Sequence, residues 1–159
     1  MRHASVNYVK TGFMKDGTLK AVDFKVYTNT GAYASSALNV SGAMSHKVFK
    51  AYKIDHMRFQ CQPVYTNTEI AGAMRGYGSP QVYFGWQRQM QKIADFLHMD
   101  MADLQMKNMV DPDSCDPIFH KPHGNSRPKD CLKRALELID YEACLKEQEA
   151  TRNQDIRIG

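Results

Sequence analysis

A chain of 159 residues is long enough to enclose a hydrophobic core, and its 43% hydrophobic and 24% charged residues are typical of a globular protein. The formal net charge of +4 accompanies dispersed lysines without recurrent aromatic neighbours, which argues against a nucleic-acid partner. No apolar run reaches the length of a membrane span and no charged-then-apolar leader opens the chain, so we expect no membrane span and a cytoplasmic location.

The first 28 residues predict a β-hairpin. Val6 to Met14 tend to alternate as in a strand, Lys15-Asp16-Gly17 supplies a turn, and Leu19 to Thr28 return as a second strand. The second strand places apolar residues on the face that we expect to be buried: Val22, Phe24 and Val26.

The next segment is harder to assign. Asn29 to Tyr33 predict a loop, and Ser36 to Tyr52 are compatible with a short helix through Met44, Val48 and Phe49. Ile54 to Thr66 predict a further strand with a break at Pro63.

A long amphipathic helix is predicted from Pro80 to His98. Its apolar stripe consists of Val82, Phe84 or Trp86, Met90, Ile93 with Ala94, and Leu97. Asp100 is placed to cap a second helix from Met101 to Met109, in which Leu104 faces inward.

The C-terminal part is predicted to be helical after a turn-rich loop from Val110 to Arg127. Pro128 opens a helix with apolar residues at helical spacing, Asp140 to Asn153 continue as a polar helix, and Ile156 to Gly159 could start a strand. The predicted fold class is therefore α+β: an antiparallel hairpin and further strand or strands, packed with a long amphipathic helix and two or three shorter helices.

The cysteines and histidines do not form a recognisable metal-binding pattern in the sequence. The four cysteines lie far apart without a Cys-x-x-Cys pair, so we expect reduced, mostly buried thiols and no metal ligands. His120 and His123 lie in the turn-rich loop without supporting ligands, and we expect them to be exposed to solvent.

The stretch from Thr66 to Gln81 is the strongest candidate for a binding site. It contains three glycines, at positions 72, 76 and 78, around one arginine and one tyrosine. Glycine permits close approach or positive φ, and Arg75 can donate several hydrogen bonds to a phosphate or a polar ring edge. An ordinary strand-to-helix turn explains the glycines equally well. The residues exclude a P-loop and are a poor match to a dinucleotide-binding fingerprint.

Gly-Ala-Met-Arg-Gly-Tyr-Gly-Ser-Pro-Gln in this stretch closely resembles a loop of the molybdenum-binding subunit in the xanthine dehydrogenase and aldehyde oxidase family, and bacterial xanthine dehydrogenases above all. Further motifs occur in the family's order: Lys15 to Ala21, Asn29 to Ala34, Tyr52-Lys53-Ile54, Tyr65-Thr66-Asn67 and Ile93-Ala94. The resemblance covers the first 110 residues and extends over Pro128 to Ile139. It identifies 1–159 as an internal fragment of a molybdopterin-binding domain, with strands within 5–66, a cofactor loop at 66–81 and a helical part at 81–153.

The resemblance implies an oxidoreductase that hydroxylates an N-heterocycle or aldehyde at a molybdenum–molybdopterin centre. It implies iron–sulfur clusters and FAD on other domains or subunits. The implied partners are those parts, the remainder of the molybdenum subunit and a small heterocyclic substrate. The basic first half of the chain suits an anionic cofactor, although a solvated lysine-rich face explains the same charge.

Alignment with the family assigns expected roles to individual residues of this chain. The family's loop arginine falls on Arg75, which, with its neighbours Ala73, Met74 and Gly76, is implied to contact the cofactor. The loop aromatic falls on Tyr77, implied to pack against the substrate ring, where most animal relatives have phenylalanine.

Other positions depart from the family. The substrate-orienting arginine of the animal enzymes falls on Ala43, so we do not expect purine to be oriented by the same mechanism. The family's catalytic glutamate lies in a Gly-x-Gly-Glu motif that this sequence lacks, and Glu69 is a poor substitute. We therefore assign no catalytic residue and predict that the chain alone is inactive. The alternative is a non-catalytic anion-binding or interaction module on the same scaffold.

Overall fold

The computed structural model describes residues 1–116 and 120–154. In this part the chain forms a sheet and five helices, in the order β1 (Ser5–Phe13), β2 (Leu19–Gly31), α1 (Ala37–Phe49), β3 (His56–Tyr65), α2 (Ser79–Leu97), α3 (Met101–Asn108), α4 (Pro128–Leu138) and α5 (Tyr141–Thr151). The α+β class is confirmed, with one more short helix than the upper number expected. The strand suggested for Ile156 to Gly159 lies outside the described residues.

Strands β1 and β2 form the predicted antiparallel hairpin, with Ser5 opposite Thr28. The turn is stabilised by Asp16, whose carboxylate accepts hydrogen bonds of 3.0 Å from both the backbone N–H and the hydroxyl of Thr18. These bonds, together with Lys107, hold the pKa of Asp16 at about 2. Local hydrogen bonding in the Lys-Asp-Gly segment therefore fixes the hairpin.

Strand β3 pairs parallel to β2, and the order in the sheet is β1-β2-β3. The break predicted at Pro63 is wrong, because Pro63 stays in the strand opposite Thr28. Among the described residues β3 is an edge strand, where a residue without an N–H is tolerated. The loop predicted from Asn29 is also too early, since β2 continues to Gly31.

The core lies between the sheet and helices α1 and α2. The predicted inward face of β2 is confirmed, with Phe24 and Val26 fully buried. The Trp86 ring lies edge-on to Tyr52 and Phe49, at centroid separations of 5.3 and 6.5 Å. Burial of these large rings supplies much of the hydrophobic stabilisation.

The structure decides one expectation about burial and corrects another. Phe84 is 70% exposed whereas Trp86 is fully buried, because two residues turn a helix by about 200° and place the rings on opposite sides. The thiols are free, as expected, but they are not mostly buried: Cys61 is half-buried, and Cys115, Cys131 and Cys144 are exposed. Helices α4 and α5, which carry the last two thiols, have no buried residue.

Asp100 caps α3 as predicted and also contacts α5. Its Oδ1 accepts hydrogen bonds from the N–H groups of Ala102 and Asp103, at 2.7 and 3.2 Å. Its Oδ2 accepts a 2.9 Å hydrogen bond from the Tyr141 hydroxyl. Partial burial, then the hydrogen bond and charge of Asp100, raise the pKa of Tyr141 to about 12. The carboxylate therefore joins the start of α3 to the start of α5.

We expect Asp100→Asn to lower the pKa of Tyr141 part of the way to its ordinary value. Asparagine is an equally good cap but carries no charge. In the wild type the contact stabilises the fold below the unfolded pKa of about 10 and is lost as the pH rises through 12. Phenolate absorbance against pH measures the shift, with Tyr141→Phe identifying the transition. An unchanged pKa in Asp100→Asn would show that burial alone sets it.

Candidate functional site

Asn29 attaches the start of the 66–81 loop to the end of β2. Its Oδ1 accepts hydrogen bonds from the N–H of Gly31 at 2.7 Å and from the Thr66 hydroxyl at 2.6 Å. Its Nδ2 donates to the Thr68 hydroxyl at 3.1 Å. One amide side chain therefore connects the end of β2 to the start of the loop that follows β3.

The loop then crosses β2 at Gly31, where the backbones come very close. Gly31 has a φ of +76°, and a Cβ there would lie 2.1 Å from the carbonyl oxygen of Glu69. The N–H of Ala71 donates to the Thr30 carbonyl at 3.0 Å. Only glycine permits this approach, so Gly31 determines where the loop begins its path.

The second half of the loop is a pair of tight turns that lead into α2. The N–H of Tyr77 donates to the Met74 carbonyl at 2.8 Å, and the N–H of Ser79 donates to the Gly76 carbonyl at 3.0 Å. Positive φ values occur at Gly76 (+94°), Tyr77 (+42°) and Gly78 (+92°). Glycine was expected to have this role, whereas a left-handed tyrosine was not. Such a conformation costs a non-glycine residue about 1 kcal/mol or more.

Lys47 of α1 holds these turns in place. Its Nζ donates to the carbonyl oxygens of Gly76 and Tyr77, at 3.1 and 2.7 Å, and lies 5.4 Å from the centroid of the Tyr77 ring. The Lys47 carbonyl accepts a 2.7 Å hydrogen bond from the Tyr83 hydroxyl on α2. The role of Lys47 was not predicted from the sequence, because its place in the last turn of α1 indicates only the usual preference of cations for helix C-termini.

The loop presents Arg75 and Tyr77 differently. The Arg75 side chain is exposed and makes no hydrogen bond or ion pair with the described residues. Its carbonyl accepts a 2.8 Å hydrogen bond from Arg2. Ala73, Met74 and Gly76 are exposed beside it. Tyr77 is half-buried and packs against the hydrophobic core. The loop thus exposes an unpaired guanidinium, while Arg2 and Lys47 hold the backbone around it through hydrogen bonds to its carbonyl groups.

Glu69 and the candidate metal ligands add no side-chain contact to this site within the described residues. Glu69 is exposed, and its side chain makes no hydrogen bond within the described part of the chain. Residues 1–116 and 120–154 contain no group of three His, Cys, Asp or Glu side chains placed to hold a metal ion. Among the same residues, no helix is both long and apolar enough to cross a bilayer.

We expect Lys47→Met to loosen the turns of the loop. The substitution keeps the length of the side chain but removes the donor to two carbonyl groups, at a cost of about 1–2 kcal/mol for a partly exposed charged donor. Amide hydrogen exchange should accelerate at residues 74–79 and stay unchanged in the hairpin. Lys25→Met is the matched control, because Lys25 also lies over a tyrosine ring, 4.8 Å from the centroid of Tyr27. Equal effects of both variants would contradict a specific role for Lys47.

Comparison with known proteins gives consistent results. The family described as "Molybdopterin cofactor-binding domain" matches residues 1–109. The chain is 31% identical over 141 residues to the xanthine dehydrogenase molybdenum-binding subunit of Escherichia coli O157:H7, covering 89% of this chain and 19% of that protein. It is 36% identical over 107 residues to the nicotinate dehydrogenase large molybdopterin subunit of Eubacterium barkeri, covering 67% of this chain and 25% of that protein.

Solved structures show the same fold. The aldehyde oxidoreductase from Desulfovibrio gigas superposes with a TM-score of 0.77 at 27% identity, over 94% of this chain and 16% of that chain. Quinoline 2-oxidoreductase from Pseudomonas putida 86 gives a TM-score of 0.81 at 20% identity, over 95% of this chain and 20% of that chain. The chain therefore spans about a fifth of the length of the xanthine dehydrogenase subunit it matches.

Proposed function

This chain belongs to the molybdopterin cofactor-binding domain family, and we propose that it forms part of a molybdenum hydroxylase that oxidises an N-heterocycle or aldehyde. Within that enzyme, the 66–81 loop supplies one of several contacts to the cofactor and substrate. The relatives named above are molybdenum oxidoreductases, and none of them supports the alternative of a non-catalytic module.

The observation that carries this proposal is the free guanidinium of Arg75 on a loop whose backbone is held by hydrogen bonds from Arg2 and Lys47. An exposed arginine without a protein partner can donate paired hydrogen bonds to an anionic group or to the polar edge of a pterin ring. Ala73 and Gly76 flank it with little bulk, and Met74 is 46% exposed. These residues suit a large anionic cofactor that approaches the backbone closely.

The contribution of this chain is to bind and to orient. When bound, the molybdenum cofactor supplies the redox centre at which the substrate carbon is hydroxylated. Arg75 holds the cofactor, and Lys47 fixes the turns through the carbonyls of Gly76 and Tyr77. We assign Tyr77 a packing contact with the substrate ring, because its half-buried ring is held in one place and keeps part of its surface accessible. Fixed geometry of this kind is what catalysis requires of binding residues.

Catalysis needs parts beyond these 159 residues. The chain lacks the Gly-x-Gly-Glu motif expected for the base, so the remainder of a molybdenum subunit would supply it. Iron–sulfur and flavin domains or subunits would carry the electrons away. We therefore propose that the isolated chain is inactive.

Arg75→Ala in the intact protein tests the proposal. Removal of a charge-assisted donor worth about 1.5–3 kcal/mol should weaken cofactor retention by more than about tenfold, without unfolding. Molybdenum and pterin bound per protein, together with circular dichroism, are the measurements. Arg134→Ala on α4, which removes another exposed arginine far from the loop in sequence, is the control. Cofactor loading that is unchanged in Arg75→Ala would refute the assignment of this loop.

A further inference from the structure

The outer edge of β1 is unpaired within the described residues. The sheet order places β2 on one side of β1 and nothing on the other, and in an antiparallel pair half of the backbone groups point away from the partner. Besides the pairing with β2, no backbone–backbone hydrogen bond reaches residues 5–13 in the described part. A nine-residue strand with such an edge is a template for one more strand.

A groove of about 730 Å³ follows this edge between β1 and α2. Its strand side is the unbroken run Ser5–Lys10. Successive residues of a strand point to opposite faces, so a wall made of consecutive residues runs along the edge itself. At Gly85 the helix lies so close that a Cβ would be 3.0 Å from the Cβ of Asn7. The groove is therefore shaped for an extended chain.

The side chains that line the groove carry positive charge only. Arg2, Lys10, Arg88 and Lys92 line it, and no Asp or Glu does. None of these four side chains takes part in the ion pairs of the described residues. The nearest carboxylate in the register, Asp23 opposite Lys10, is already paired with Arg58 at 2.6 Å.

Exposed apolar side chains and unpaired polar atoms lie along the same groove. Val6, Tyr8 and Phe84 are 55%, 59% and 70% exposed. The Nη1 of Arg2, the Oδ1 of Asn7 and the Oε1 of Gln81 are buried without a hydrogen-bond partner. Buried polar atoms rarely stay unpaired in a finished structure. The groove thus combines exposed apolar surface with positive charge, beside buried polar atoms that have no partner.

We propose that this groove binds an extended acidic segment, which adds a fourth strand to the sheet at β1. Backbone hydrogen bonds to the free edge would hold the segment, and the carboxylates on its helix-facing side would pair with Arg88 and Lys92. Its apolar side chains, which point to the opposite face of the sheet, would cover Val6 and Tyr8. Its source rests on the proposed function: the segment belongs to the part of the molybdenum-binding subunit outside these residues, since the chain spans 19% of such a relative.

A peptide of about ten residues with alternating valine and glutamate is the probe, and a valine–lysine peptide of the same length is its charge-reversed control. The acidic peptide should bind the 159-residue chain, protect the outward amides of residues 5–13 from hydrogen exchange, and dissociate as salt is added. Arg88→Glu/Lys92→Glu should weaken its binding by at least about tenfold and favour the lysine peptide instead. Lys133→Glu/Lys146→Glu, the same change on α4 and α5, should have no effect.

Three results would overturn the proposal: no binding of the acidic peptide, equal binding of both peptides, or binding that leaves the amides of β1 unprotected. The reversal of charge preference keeps the test valid if either variant loses some stability, because an unfolded protein would bind neither peptide selectively. The assay needs no cofactor. A negative result in the peptide assay therefore does not contradict the cofactor role proposed for Arg75. Unchanged cofactor loading in Arg75→Ala, in turn, does not contradict peptide binding in the groove.

Discussion

Gly31→Ala is expected to lower the free energy of unfolding by at least about 2–3 kcal/mol and to detach the 66–81 loop from the sheet. The φ of +76° costs an alanine about 1–2 kcal/mol. The added Cβ would also lie 2.1 Å from the oxygen and 2.6 Å from the carbon of the Glu69 carbonyl. Both are backbone atoms that cannot rotate away, so the loop must move. Urea denaturation measures the stability, and amide exchange at residues 66–72 measures the detachment.

Substitutions at two other glycines distinguish the two causes of this loss of stability, which are the positive φ and the clash with Glu69. Gly124 has a φ of +61° but an open surrounding, so Gly124→Ala should show the backbone strain alone. At Gly12 a Cβ would meet the Cβ of Ala21 at an ordinary 3.6 Å, and we expect Gly12→Ala to be nearly neutral. A loss of stability in Gly31→Ala no greater than that in Gly124→Ala would show that the close approach to Glu69 is unimportant.

Trp86→Ala should destabilise the protein by about 3–5 kcal/mol. Trp86 is fully buried and contacts Tyr52 and Phe49 where α1, α2 and the sheet meet. Its removal leaves a cavity among rigid rings that cannot collapse. Circular dichroism during urea unfolding is the measurement, because the chain has no other tryptophan to report by fluorescence.

Phe84→Ala on the same helix is the control for this prediction. Phe84 is 70% exposed, and we expect its truncation to change stability by less than about 0.5 kcal/mol. Similar losses in the two variants would place the core of the protein elsewhere than between α2 and the sheet.

The parts of the fold that depend on neighbouring residues were predictable from the sequence. The hairpin follows from alternation and an Asp-Gly turn, and Asp100 caps α3 because the side chain and the helix are adjacent. The direction of β3 was not predicted, because alternation is the same for parallel and antiparallel strands. The helix between β2 and β3 was the available signal, since parallel strands need a long crossover.

The site was predictable only in part, for the same reason. Glycines at 76 and 78 adopt the positive φ that their residue type suggests. The position of Lys47 depends on how α1 packs beside the loop, and no periodicity in the sequence encodes it. Helix α4 carries apolar residues at helical spacing, yet Leu138 at its end and the following Ile139 are 68% and 56% exposed. The periodicity of apolar residues in a helix does not show which other part of the protein packs against it.

The mixed pairing of the sheet has a kinetic consequence. The β1–β2 hairpin closes a short segment, which takes microseconds in isolated hairpins. Pairing of β3 must wait until α1 has crossed the sheet, and non-local closure of this kind slows folding. Because the 66–81 loop follows β3 and is tied to Asn29, we expect it to acquire its native geometry only after the sheet is complete.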